Sequence, residues 1–221
     1  MSAAETFTVN GFTVKLIHDE DRPSPRDEEF HGCDMVLDHR HYTLPNDAAL
    51  SLADFSGWDA VAAHLTAEGA LAVQPVWAYE HGGIALTTGE RTYPFTDRWD
   101  SGQLGVAYIT PANWAEAEGH PWTGSDADRR RAAAVIAVAV DEYGKYLNGE
   151  CFGYEVTDPA DGEVVAESWG LIGYEYAEQA GREAAEGCAH EVKCTGRLDR
   201  RAGEIRHDGP CPLHDREGTA T

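Results

Sequence analysis

Four side chains in this sequence are of the types that acid–base or hydrolytic chemistry needs: His39, His81, Asp100 and Gln103. An imidazole takes up a proton near neutral pH, a carboxylate can orient it, and a carboxamide can hold a water in place. Brought together by loops, the four would orient a water or hold a divalent ion. His39 and His41 would share one face if MVLDHRHY is a strand. No pair has the spacing of a helical metal motif such as H-E-x-x-H. The alternative is therefore structural, with His81 capping a hairpin at Gly82-Gly83 and Asp100 and Gln103 closing a turn. A hydrolase of this design requires the side chains to converge within about 4 Å of one point in a pocket.

Asp100-Ser101-Gly102, within RWDSGQLGVAYIT, is a tripeptide found in two kinds of peptidase. An aspartic peptidase needs two such aspartates sharing a proton, and this chain has no second copy. A serine peptidase needs His and Asp partners and backbone donors for the oxyanion, commonly with glycines flanking the tripeptide. Trp99 and Gln103 occupy those flanking places. Without its partners the motif reads as a turn, in which Asp100 bonds nearby backbone N–H groups and Gly102 takes a conformation other residues avoid.

The tail GCAHEVKCTGRLDRRAGEIRHDGPCPLHD offers a second chemistry. Cys188, Cys194, Cys211 and His214 supply four N/S ligands of the kind tetrahedral zinc takes, with His190 and His207 as substitutes. A segment this polar would fold around such an ion. The Cys211-Pro-Leu-His214 half has compact ligand spacing, whereas Cys188 and Cys194 are wider apart than the usual zinc pair. The alternative is a disordered tail with incidental cysteines, in keeping with five arginines between Arg197 and Arg216 and no apolar period.

Among 221 residues, 39 acidic side chains face 17 basic ones, a formal charge of -22. Such a chain repels phosphate backbones and anionic membrane leaflets, so direct nucleic-acid binding by the main domain is disfavoured. Residues 1 to 181 carry 31 acids and 10 bases, and 182 to 221 carry 8 and 7. That break suggests a main domain over 1–181 and a Cys/His/Arg-rich tail over 182–221. The acidity also suggests a DNA mimic, whose carboxylates, clustered at Asp19-Glu20-Asp21 and Asp27-Glu28-Glu29, would occupy the DNA groove of a host defence nuclease; the alternative is a charge that serves solubility alone. Five cysteines do not read as a disulfide framework, and neither a long apolar run nor a basic-then-apolar N-terminus is present. The expectation is a soluble cytoplasmic protein.

The elements that must position these residues follow from local pattern. TFTVNGFTVKLI alternates around Asn10-Gly11, which predicts a tight hairpin. FSGWDAVAAHLTAEG has helical spacing between a Ser56 cap and Gly69. ALAVQPVWAYE and GIALTT are strands hinged at Gly82-Gly83, and QLGVAYI is another. Thr110-Pro111 starts a short helix that stops at Gly119. Ser125 opens the longest helix, 125 to 147, whose AAAVIAVAV is apolar all round and so predicts a central, covered position. CFGYEVTD and EVVAESW flank PADG as a hairpin, and a last helix runs to Gly187. The sum is an α+β fold, an antiparallel sheet of about six or seven strands packed on the long central helix, with an irregular C-terminal tail.

VQPVWAYEHGGIALTT, RWDSGQLGVAYIT, YGKYLNGECFGYEV and ESWGLIG, in that order, resemble a family of uncharacterised proteins encoded by bacteriophages and other mobile elements. The opening DEDRPSPRDEEFHGCDMVLDHRHYTLPND is similar too, so the likeness spans roughly residues 12 to 175. His39, His81, Gly83, Asp100, Gln103, Gly149, Gly153, Trp169 and Gly170 fall on its motifs. Gly82 departs from them, standing where the family suggests a small polar residue. No activity comes with this resemblance. It supplies context and no mechanism, and the first expectation for such a protein is a non-enzymatic accessory role through binding a host protein.

Overall fold

In the computed structural model, the described residues are 3–27, 32–89, 100–193, 196–199 and 204–207. They form an α+β fold whose chain divides into two compact units, one made of Met1–Arg22 with Cys151–Thr221 and the other of Pro23–Glu150.

The first unit begins with β1 (Ala3–Val9) and β2 (Phe12–His18). They are joined at Asn10 and Gly11, whose φ values of 50 and 94 are those of a two-residue turn matching strand twist. The chain returns at β7 (Cys151–Thr157) and β8 (Val164–Ile172), giving an antiparallel sheet of order β1-β2-β7-β8. One helix, α4 (Tyr174–Lys193), packs on it. Small residues recur every fourth position along α4 as Ala177, Gly181, Ala185 and Ala189, so one helix face is low and the backbone approaches the sheet closely. A Cβ at Gly181 would come within 2.8 Å of Val14. Val14, Leu16, Phe152 and Val156 are buried in the clusters formed there.

Between Arg22 and Cys151 the chain builds the second unit. Its strands are β3 (Asp34–Leu37), β4 (Ala72–Glu80), β5 (Ile84–Thr88) and β6 (Ser101–Ile109), in the antiparallel order β3-β6-β4-β5. Helix α1 (Trp58–Ala67) packs with Val36, Val106 and Tyr108, whereas α2 (Pro111–Glu118) and α3 (Asp126–Leu147) pack with Met35, Val76, Leu104 and Ile109. Alternate residues of the strands thus feed two cores, one on each sheet face. Thr110 caps α2, its hydroxyl accepting from Asn113 N–H while the Asn113 side chain accepts from Thr110 N–H. Ser125 caps α3 by accepting from Asp128 N–H at 3.2 Å.

Several expectations need correction. The strands form two four-stranded sheets rather than one of six or seven, because hairpin signals fix neighbours in sequence and not the long-range partner that β2 finds in β7. α3 is not covered all round. Its buried stripe is Ala132, Ile136, Val140 and Tyr143, and Val138 is 68% exposed. Alanine and valine on the outer face mimic a buried helix in the sequence. Ser56 is not the cap of α1; Gly57 takes that position with φ 147, and its own carbonyl begins the helix. β3 ends at Leu37 instead of running through His41. The compositional break at 181/182 falls inside α4, which continues past Gly187 to Lys193. Beyond it Gly196–Asp199 (β9) and Glu204–His207 (β10) pair antiparallel, so this part of the tail is a hairpin and not irregular.

Candidate functional site

Asp100, Gln103 and His39 meet at one end of the second sheet. β3 stops at Leu37, whose N–H bonds Pro45 O at 2.9 Å; Asp38 N–H reaches across to Leu104 O at 3.0 Å. Residues 38 to 44 therefore leave the sheet as a loop. That loop, the last residue of β4 and the first residues of β6 enclose a cleft of about 290 Å³ lined by Asp38, His39, Arg40, Glu80, Asp100, Ser101 and Gln103. Three carboxylates against one guanidinium make it a negative cleft.

His39 is more enclosed than Glu80 or Asp100, with its side chain 12% exposed. Its Nε2 meets the Glu80 carboxylate. Its Nδ1 accepts from the His41 backbone N–H at 3.2 Å, so the ring hydrogen lies on Nε2, pointing at Glu80. The rings of Tyr42 and His41 stand 5.0 and 5.7 Å away. His39 and His41 are neighbours through this loop and not through a shared strand face. Both nitrogens of His39 are engaged, Nδ1 by the His41 N–H and Nε2 by the Glu80 carboxylate.

His81 lies elsewhere. Its side chain is 76% exposed, stacks on Tyr79 at 6.1 Å and lines a separate shallow cleft with Gly82, Gly83 and Asn148. Its Nδ1 is 3.7 Å from Asp100 Oδ2, an exposed charge contact too long for a hydrogen bond. His81 N–H bonds Gly83 O at 3.1 Å, so it does close the hairpin, and Gly82 holds the left-handed φ of 75 that the turn needs. The four residues thus split, with His39, Asp100 and Gln103 lining one cleft and His81 lining another, 3.7 Å from Asp100.

Ser101 and Gly102 of the Asp-Ser-Gly tripeptide lie in β6 and not in a turn, with Asp100 at the bend just before the strand. Ser101 pairs with Tyr79 and Gly102 with Ala78, while Asp100 O accepts from Glu80 N–H at 2.7 Å. Gly102 has no positive φ, and a Cβ there would meet nothing within 4 Å. Gln103 donates its amide to Gly105 O at 3.1 Å, across a bulge in β6. Trp99 lies outside the described residues.

Two of the glycines singled out by sequence, Gly83 and Gly153, have packing causes. Asn148, at the end of α3, holds Ile84 by both backbone groups, accepting from its N–H and donating to its O, each at 2.8 Å. A Cβ on Gly83 would sit 2.9 Å from the Asn148 carboxamide oxygen, so the EHGG and YLNGE stretches fit each other. In the first unit the Trp169 ring lies against Gly153, leaving only 2.2 Å for a Cβ. Gly170, at φ 77, donates its N–H to Asp19.

Of the zinc candidates, Cys188 stands on α4 packed against the Val14 and Val156 cluster. Cys194, Cys211 and His214 lie outside the described residues, as do the side chains of His190 and His207. Among the described residues no group of three His, Cys, Asp or Glu side chains is placed to hold a metal. Cys33 is fully buried, and burial pushes its thiol up to about 12, which makes it inert as a nucleophile. No described helix is long and apolar enough to cross a membrane.

Glu80, Asp38 and Arg40 complete the cleft and were missed in the sequence. The signal for Asp38 and Arg40 was their place at a strand end, hidden by reading MVLDHRHY as one extended run. Glu80 is the last residue of β4, and only its contact with His39 marks it. No family model, curated protein or solved structure matches this chain.

Proposed function

We propose that this protein is a non-enzymatic accessory protein of the phage or mobile-element kind. It binds a basic, DNA-engaging host protein and presents carboxylates where that protein expects phosphates. The observation that carries this reading is the engagement of His39: with Nδ1 accepting from His41 and Nε2 on Glu80, the imidazole in the cleft serves as a strut and not a base. Beside it, Asp38, Glu80 and Asp100 form a wall that attracts cations. The formal charge of -22 extends that preference to the whole surface.

The test is capture of a purified basic DNA-binding partner from the host at about 0.1 M salt, followed by elution at about 1 M, where surface attraction is screened within roughly 3 Å. The reading expects release, and expects DNA to compete for the partner. Retention at high salt, or indifference to DNA, overturns the mimic.

One observation favours a hydrolase instead: the His81 ring lies 3.7 Å from Asp100, which lines the acidic cleft. That reading requires a turnover that is lost in both His81→Ala and Asp100→Asn. Activity unchanged in either variant removes it.

A further inference from the structure

A second cleft, about 320 Å³, opens where α1 crosses β4 and β6. Its walls include the indoles of Trp58 and Trp77, the carboxylate of Asp59 and the carboxamides of Gln74 and Gln103. We propose that this cleft receives the guanidinium of an arginine side chain presented by a protein partner.

The hydrogen-bonding groups at the cleft favour a cationic donor. Asp59 has no ion-pair or hydrogen-bond partner among the described residues. Gln103 uses its NH2 on Gly105 O, which leaves its oxygen as an acceptor. Gln74 has its oxygen on the Thr88 hydroxyl at 3.0 Å. The cleft therefore offers a full negative charge, a carbonyl-type acceptor and the indole of Trp58 in its wall. A guanidinium answers all three, because it is planar, always charged, rich in N–H donors and stacks on aromatic faces. An ammonium would satisfy the charge but not the stacking. A phosphorylated ligand would meet a unit holding 20 acids and 8 bases over residues 23–150. A neutral sugar could stack but would leave the Asp59 charge without a counterpart.

The local sequence explains why the site exists. Trp58 and Asp59 are the first residues of α1, where an acid suits the positive helix end and the side chains project at the rim of the sheet. Trp77 and Gln103 stand opposite one another across β4 and β6, next to the bulge that interrupts their register, and so share one face. Gln103 lines this cleft and the acidic one at the sheet end alike, making the two adjacent. A partner with two neighbouring basic side chains would fill both.

The inference deepens the binding reading by naming its anchor, and it is tested without the partner. Protein labelled with 15N is titrated with N-acetylarginine methylamide, with the uncharged citrulline analogue and with the lysine analogue, following the Trp58 and Trp77 indole N–H signals. Arginine should shift both signals saturably, lysine about tenfold more weakly, and citrulline not at all. Asp59→Asn, at an exposed position, should keep the indole spectrum of the free protein and weaken arginine binding about tenfold. An equal response to citrulline, a stronger one to a neutral sugar or a mononucleotide, or arginine shifts that avoid both indoles would each overturn the proposal. Arginine binding with no salt-sensitive basic partner would keep the cleft and remove the partner reading; a partner without arginine binding would do the reverse.

Discussion

In the sheet β1-β2-β7-β8, the tryptophan and glycines of the resemblance motifs act on one another: Trp169 lies on Gly153, and Gly170 bonds Asp19 through its N–H. In the sheet β3-β6-β4-β5, two tryptophans line a cleft whose polar groups keep hydrogen-bonding capacity in reserve. The first sheet has one helix packed on it and the second has helices on both faces. The second also has a loop, residues 38 to 44, that leaves at a strand end and carries three ionisable groups into a cleft. The same residue types recur in both units, so type alone does not separate scaffold from site. What separates them is whether the polar atoms nearby already have partners.

Substitutions can break that contrast, and the largest effect should come from Gly105. A Cβ there would stand 2.1 Å from Val36 O, a backbone atom that cannot rotate away. Gly105→Ala should cost about 3 kcal/mol or more, read from urea unfolding. Gly153→Ala meets a side chain instead, and Trp169 is 38% exposed and free to swing out. It should cost about 1–3 kcal/mol, largely recovered in the Gly153→Ala, Trp169→Ala double variant. Equal costs at the two glycines, or no recovery, would mean that the Trp169 contact is not what fixes Gly153.

Asn148→Ala should follow, at about 2 kcal/mol, since it strands both backbone groups of the buried Ile84. A smaller loss would show that the EHGG hairpin holds itself.

The smallest effect is electrostatic. Hydrogen bonds from the Thr123 hydroxyl and N–H, aided by Ser125, hold the Asp128 carboxyl down at about 2. A depressed folded value stabilises above the unfolded value of 3.8 and is lost as pH falls through about 2. The Tm gap between wild type and Asp128→Asn should therefore be constant near neutral pH and close between about pH 4 and 2. A gap that closes above pH 5 would contradict this assignment.

Local rules carried much of the fold in the sequence. Asn10-Gly11, Thr110-Pro111, Ser125 and the EHGG turn each act over a few residues, and each forms the element its chemistry predicts. Joining β2 to β7 spans more than 130 residues and left no local trace, so two sheets looked like one. The site was legible in part for the same reason. His39, Asp100 and Gln103 were visible as chemical types, but Glu80 gains meaning only from its contact with His39, and the pairing of Trp77 with Gln103 depends on strand register.

The central claim is that carboxylates at the sheet end, and not an imidazole base, do the work of this protein. Its most direct test is the affinity for a purified basic partner, measured by calorimetry between about 0.1 and 1 M salt for wild type and Asp100→Asn. The account predicts a fall of about a hundredfold or more across that range and a visibly shallower salt dependence in the variant. An affinity that stays constant in high salt, or a variant with the wild-type slope, would contradict it.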